Sequence, residues 1–302
     1  MDGILCIDKP EGFTSFDVVA KIRGMLGTRK VGHAGTLDPM ATGVLPLFVG
    51  TATKACDILP VQDKRYTATL RLGVSTDTQD ITGTVLNRRP VKAGAAQVME
   101  KVALFTGAQK QLPPMYSAVR VNGQRLYDLA RKGVEVARKP RAITVYAISL
   151  LGADENDHTY TIDVACSKGA YIRTLCHDLG EALGCGAVLT ALRRTAACGF
   201  SLDDCITLSA AQDLADQGIL RNRLLPVSSV FTSYSPLRLD AKQTKMFGDG
   251  VRLSLARLGL HNAEPGASFT VFGSDGAFIA IATADPASDN LISKKWFGGA
   301  RP

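Results

Sequence analysis

The chain has 302 residues, 46% apolar and 21% charged, enough to bury one large core or two smaller ones. No window approaches the roughly 18 consecutive apolar residues of a membrane-spanning helix, and the opening MDGILCIDKPEG lacks a basic-then-apolar signal pattern, so a soluble cytoplasmic protein is expected. The 35 Lys and Arg outweigh the 28 Asp and Glu, leaving a net charge of +7 that points to a polyanionic partner.

Residues Gly3 to Ile7 read as a short strand, which Asp8-Lys9-Pro10-Glu11-Gly12 turns away. A helix follows, capped by Thr14 or Ser15, with Val18, Val19, Ile22, Met25 and Leu26 on one stripe and Gly27 placed to end it. The next segment, KVGHAGTLDPMAT from Lys30 to Thr42, has neither helical nor strand periodicity and reads as a functional loop. Leu45 to Val49 resembles a buried strand, which Pro46 confines to an edge or an irregular start. Tyr66 to Leu72 alternates, with Tyr66, Ala68, Leu70 and Leu72 on one face, and predicts a half-buried strand.

Gln97 to Phe105 is read as a helix, and Leu112 to Arg141, which contains Pro113-Pro114, as an excursion from the core. Strand patterns return at Ile143 to Leu150 and Tyr160 to Cys166, and Tyr171 to Leu183 spaces Ile172, Leu175, Leu179 and Leu183 for one helix face. That order predicts a domain in which helices pack on a mixed sheet. After Pro226 the texture becomes polar and turn-rich, placing a domain boundary near residue 232. Val251 to Leu253, Ser268 to Phe272 and Ala277 to Ala282 then predict a small β-rich module of a kind that closes into a pseudo-barrel.

Between Met115 and Arg141 stand Arg120, Arg125, Arg131, Lys132, Arg138, Lys139 and Arg141, against Asp128 and Glu135. Such a local excess is the footprint of a protein that neutralises a phosphate backbone, or simply a solvated face; the missing apolar helix face argues against a lipid surface. The seven cysteines are odd in number, scattered through apolar stretches and free of Cys-x-x-Cys pairs, which predicts reduced core thiols. Cys176-His177 with Cys185 comes nearest to a metal cluster, but it falls in a helical pattern and is read as structural.

Asp38 sits between Leu37 and Pro39 on a loop stiffened by the proline. A lone Leu-Asp-Pro is most often a turn former. His33 five residues earlier, the flanking Gly35 and Gly43, and a cation able to pair with the carboxylate strengthen a functional reading. That cation is sought in Ser167-Lys168-Gly169-Ala170-Tyr171-Ile172-Arg173, where a strand ends and a helix begins and an arginine follows an aromatic. The plain alternative for this junction is a helix cap with a surface ion pair.

These segments resemble the motifs of the TruB family of tRNA pseudouridine-55 synthases. The first is Lys9-Pro10-Glu11-Gly12-Phe13-Thr14-Ser15, and the second runs from Gly32-His33-Ala34-Gly35 through Thr36-Leu37-Asp38-Pro39 to Leu45. Tyr66 with Leu72 to Asp80 and Gly83, Pro113 to Ala118, Cys166 to Leu175, and Leu192-Arg193-Arg194-Thr195 are similar to the later motifs. The resemblance runs in order from residue 3 to about 226 and is weaker beyond, where the module is similar to the PUA-like RNA-binding domain of bacterial members.

The resemblance implies an α+β fold: a mixed, largely antiparallel sheet with flanking helices and a thumb inserted at about 112–141, comprising residues 1–232, then a PUA-like domain at 233–302. It assigns Asp38 as the catalytic carboxylate, Arg173 as its partner and Tyr66 as the active-site tyrosine. Tyr171 and Leu192 then line the uracil pocket, His33 contacts the remodelled RNA loop, and Arg125, Arg131 and Lys132 hold phosphates from the thumb. The implied reaction isomerises uridine 55 in the T-arm of tRNA, with the base flipped out and no metal or cofactor, by a cytoplasmic monomer. Arginine beside Asp38 favours the ionised carboxylate, suited to attack at C1′ or proton removal at C2′. Three rivals are an RNA-folding helper, a glycosidic hydrolase pairing Asp38 with Asp77 or Asp80, and a guide-RNA-dependent relative; no lysine-rich extension supports the last.

Overall fold

The computed structural model describes residues 1–298, so the last four residues of the expected C-terminal module lie outside the described residues. In chain order the strands of its first part are β1 (Gly3–Lys9), β2 (Val31–His33), β3 (Thr42–Val49), β4 (Lys64–Leu72), β5 (Val74–Thr76), β6 (Val85–Arg88) and β7 (Gly107–Gln111). They continue with β8 (Arg120–Val121), β9 (Gln124–Arg125), β10 (Arg141–Asp154), β11 (Thr159–Cys166), β12 (Ala187–Ala197), β13 (Phe200–Ser201) and β14 (Ile206–Thr207). Helices α1 (Ser15–Leu26), α2 (Ala95–Ala103), α3 (Leu126–Ala130), α4 (Ile172–Ala182) and α5 (Leu208–Asp216) run between them.

Ten of these strands form one sheet in the order β14-β1-β3-β12-β4-β11-β10-β7, with β13 on β12 and β2 on β3. Only β1–β14 and β3–β12 pair in parallel, so the sheet is mixed and largely antiparallel. Its centre is buried on both faces. Leu5, Ile7, Leu45 and Leu47 pack with the Val18, Val19 and Ile22 stripe of α1, while Ile4, Cys6, Val44 and Phe48 fill a second cluster. β4 shows the expected alternation, its apolar residues burying themselves with Ile172, Leu175 and Leu179 of α4. The Thr14 side chain accepts from Asp17 N and the Asp17 carboxylate from Thr14 N, and Gly27 closes α1 in the left-handed conformation at φ 63°. A cap of this kind is worth about 1 kcal/mol.

Two local expectations are corrected. Val31–His33, read as loop, forms β2 against the far end of β3, because its backbone finds Phe48 and Leu47 as partners. Pro46 sits in a central strand, not at an edge: it lies opposite Cys6 in β1, and its carbonyl accepts from Ala34 N on the other flank. Strand N–H and C=O of one residue point the same way, so the missing donor faces the place where β2 runs out and no ladder bond is lost.

The second part contains β15 (Ser235–Arg238), α6 (Ala241–Gly248), β16 (Leu253–Ser254), β17 (Ser268–Phe272), β18 (Phe278–Asp285) and β19 (Asn290–Trp296). They make a curled five-stranded sheet in the order β15-β17-β18-β19-β16. The sequence patterns missed β15, α6 and β19, which are short or interrupted by charges. Phe231 sets its ring at a tilt to those of Phe278 and Phe297, each 6.1 Å away, in a cluster that also holds Ile4, Phe48 and Ile281. That cluster joins the two sheets. All seven cysteines are free thiols, five of them buried. No helix among the described residues is long and apolar enough to cross a membrane.

Candidate active site

The loop between β2 and β3 carries Asp38 and is tied down on both sides of it. Ser15 Oγ accepts from Leu37 N at 2.8 Å and donates to Leu37 O at 3.2 Å. On the other side Pro39 O accepts from Gly12 N at 2.9 Å and from the Lys9 ammonium at 3.2 Å. Lys9, fully buried, also donates to the carbonyls of Pro10 and Phe13, and burial pushes its pKa down to about 8. Ala41 N returns to Asp38 O at 3.0 Å, completing a tight turn around the aspartate.

Arg173, on the first turn of α4, meets that aspartate with two prongs: Nε at 2.9 Å from Oδ2 and Nη2 at 3.2 Å from Oδ1. The same guanidinium donates to Thr78 O at 2.9 Å and Tyr116 O at 2.7 Å, and its Nη1 stands 3.8 Å from Asp80. Its side chain is 5% exposed whereas that of Asp38 is 36% exposed. The cation is thus locked in the protein, and the carboxylate keeps an exposed part. Burial raises the Asp38 pKa above the ordinary carboxylate range; Arg173 draws it back down, Asp80 adds to the rise and Lys9 opposes it.

Tyr66 lies on β4 directly opposite Arg194 of β12, with Leu192 two residues away on the same face opposite Ala68. Leu37, Ala41, Tyr66 and Leu192 belong to one buried cluster, so the pocket wall beside Asp38 is apolar. Burial pushes the Tyr66 phenol up to about 12, with Arg194 pulling against it. The site brings together a partly exposed acid with a fixed cation, an aromatic ring and an aliphatic wall.

Two family models together cover Asp38, Tyr66, Arg173 and Leu192 of this site. One described as "TruB family pseudouridylate synthase (N terminal domain)" matches residues 23–172, and one described as "tRNA pseudouridylate synthase B C-terminal domain" matches residues 173–232. The chain belongs to the TruB family. A relative named tRNA pseudouridine synthase B from Clostridium kluyveri is 45% identical over 253 residues, covering 84% of this chain and 86% of its own. Another of that name from Syntrophus aciditrophicus is 41% identical over 295 residues, 96% of this chain and 94% of its own. A chain of the solved structure titled "Crystal Structure of a Cbf5-Nop10-Gar1 Complex" shares the fold, with TM-score 0.74 and 24% identity over 99% of this chain and 87% of that one.

In this TruB-family chain the other predicted residues fall in three places. His33 ends β2, its Nδ1 buried without a hydrogen-bond partner among the described residues, and burial with the nearby Arg194 lowers its pKa. Tyr171 is the N-cap of α4, clamped through its backbone by the buried Gln111, whose amide accepts from Tyr171 N at 2.7 Å and donates to Tyr171 O at 3.0 Å. Arg125, Arg131 and Lys132 are exposed on the segment between β7 and β10, with Arg125 and Arg131 5.7 and 5.4 Å from the Tyr127 ring. They do not reach Asp38. The segment's root reaches Arg173, the partner of Asp38, through Tyr116 O, and the Tyr116 hydroxyl lies 3.4 Å from Asp77.

Sequence reading gave no role to Lys9, Gln111 or Arg194. For Arg194 a signal existed: in Leu192-Arg193-Arg194 the period-two alternation puts an arginine on the apolar face of a strand. Among the described residues no group of three or more His, Cys, Asp and Glu is arranged to hold a metal.

Proposed function

We propose that this tRNA pseudouridine synthase acts on uridine 55 in the T-loop, with Asp38 as the carboxylate working at C1′ or C2′ of a nucleotide flipped into the pocket. As a TruB-family member the chain is an isomerase that turns tRNA uridine into pseudouridine. The observation that carries the Asp38 assignment is its asymmetric ion pair: a buried, four-partner arginine holds a carboxylate whose own side chain stays 36% exposed. Held this way, the carboxylate is oriented and drawn toward its ionised form by Arg173, while part of it stays exposed to a ribose.

The bond from uracil N1 to ribose C1′ breaks and one from C5 to C1′ forms, with a proton leaving C5 and one arriving at N1. The oxidation state does not change. Tyr66 and Leu192 offer the extruded base the contacts it loses from its stack, at a cost of a few kcal/mol for leaving the helix. The exposed Arg125, Arg131 and Lys132 supply phosphate contacts without base readout, as suits recognition by shape. Asp77 and Asp80 argue against the paired-carboxylate hydrolase. Asp80 Oδ1 accepts from Thr78 Oγ1, Thr82 N and Thr82 Oγ1, and Asp77 Oδ1 from Thr84 N, so both carboxylates hold the turn.

Asp38→Asn keeps the volume and removes the charge. Single-turnover pseudouridine formation with enzyme in excess should vanish while tRNA binding survives. Near-normal turnover in a folded, tRNA-binding variant would defeat the assignment.

A further inference from the structure

Arg194 is the largest fully buried side chain among the described residues, at 0% exposure. Its Nε donates to Val44 O at 2.7 Å and its Nη2 to Gly35 O at 3.1 Å. Those two carbonyls stand on either side of Asp38, so one guanidinium closes the ends of the catalytic loop. The backbone accommodates it closely: Gly43, at φ +102°, would place a Cβ 2.2 Å from Arg194 O, and Gly35, at φ +88°, would place one 3.4 Å from Arg194 Nη1. Gly43 leaves no room for a side chain, and both positions hold a left-handed conformation that favours glycine.

The charge itself is unanswered. Among the described residues Arg194 forms no ion pair, and its Nη1 is buried without a hydrogen-bond partner. Tyr66 stands directly opposite Arg194 across the β4–β12 ladder, near enough for the guanidinium to pull the pKa of its phenol down. Carbonyl tethers alone could be made by neutral side chains, and a buried cation is expensive to keep. Its retention beside a phenol, on the wall of the pocket that faces Asp38, gives the charge a use: negative charge appears on the base as N1 leaves C1′ and the C5 proton departs.

We propose that Arg194 is a positioning residue of the isomerisation that acts through Tyr66, fixing the phenol opposite Asp38 and supplying the cation against which charge on that side of the pocket develops. The inference rests on the uridine-isomerising reading of the site. It gives Arg194 no contact with the base. Arg173 and Arg194 thus divide the work, one holding the carboxylate from the α4 side and the other holding the tyrosine and both ends of the loop from β12.

The test is a double-mutant cycle of Arg194→Met and Tyr66→Phe in the full chain, read by single-turnover pseudouridine formation and by tRNA affinity. Arg194→Met alone should slow turnover by about 50-fold or more with affinity changed less than about 3-fold, and Arg194→Lys should recover part of the loss. In the Tyr66→Phe background Arg194→Met should cost clearly less than in the wild type, the remaining loss being that of the tethers to Val44 O and Gly35 O, which do not run through Tyr66. Multiplicative losses in the cycle would overturn the proposal, as a merely structural arginine would damage both backgrounds equally. If Arg194→Met does not fold, the same cycle with Arg194→Lys decides by the same criterion. Activity surviving in Asp38→Asn would instead sink the underlying reading of the site, whatever the cycle shows.

Discussion

Replacing Arg173 by glutamine removes the cation from Asp38 while keeping a polar side chain on the first turn of α4. The loss can be sized from the structure. Arg173 is 5% exposed and gives up both prongs to Asp38 and the bonds to Thr78 O and Tyr116 O. Breaking a buried pair costs about 3–5 kcal/mol, and the 36% exposure of Asp38 places the case at the low end, about 3 kcal/mol. At about 2–4 °C per kcal/mol for a chain of this size, the melting temperature should fall by about 6–12 °C. The pH dependence carries a sign. Burial raises the Asp38 pKa and Arg173 is the largest force drawing it down, so without Arg173 the carboxyl rises further. The active, ionised form is then lost at a higher pH as acid is added, and the acid limb of single-turnover activity should shift upward. Thermal melts and rate profiles from about pH 5 to 9 on the same preparations measure both effects. An acid limb that stays in place in a folded, tRNA-binding Arg173→Gln protein would refute the view that Arg173 sets the ionisation of Asp38.

Alanine at Arg125, Arg131 and Lys132 should weaken tRNA binding and lower the salt slope by about 2, and an unchanged slope would remove these residues from the phosphate contacts. Phe231→Ala should cost about 3–5 kcal/mol in unfolding and raise the Michaelis constant for tRNA more than it lowers turnover, because the ring cluster joins the two sheets away from Asp38. Loss of turnover at saturating tRNA would place that cluster in the chemistry. Lys9, held near 8 when folded against the ordinary 10.5, binds fewer protons folded than unfolded between those values. Stability should therefore rise with pH across that window in the wild type relative to Lys9→Met, and parallel stability curves would show that Lys9 does not titrate there.

Several features were legible in the sequence because neighbours within a few residues set them. The α1 cap at Thr14 and stop at Gly27, the alternation of β4 and the apolar stripe of α4 follow from local sterics and period, and the structure reproduces them. The exposed basic segment between β7 and β10 was likewise visible as a cluster of charge. The motif resemblance singled out Asp38 and Arg173 without showing how they meet. What the sequence did not hold was strand order. Pro46 read as marking an edge or an irregular start because a missing donor is costly in most ladders, yet it lies inside a central strand where β2 ends and no donor is needed. Arg173 lies 135 residues from Asp38, and Arg194 159 residues from Gly35; such pairs are made by the placement of β12 between β3 and β4 and by the packing of α4 on β12 and β4. Burial of Lys9 and Arg194 was hidden for the same reason: whether a long cation is solvated or enclosed depends on which distant strands cover it, and that covering is decided only when the sheet closes around the loop.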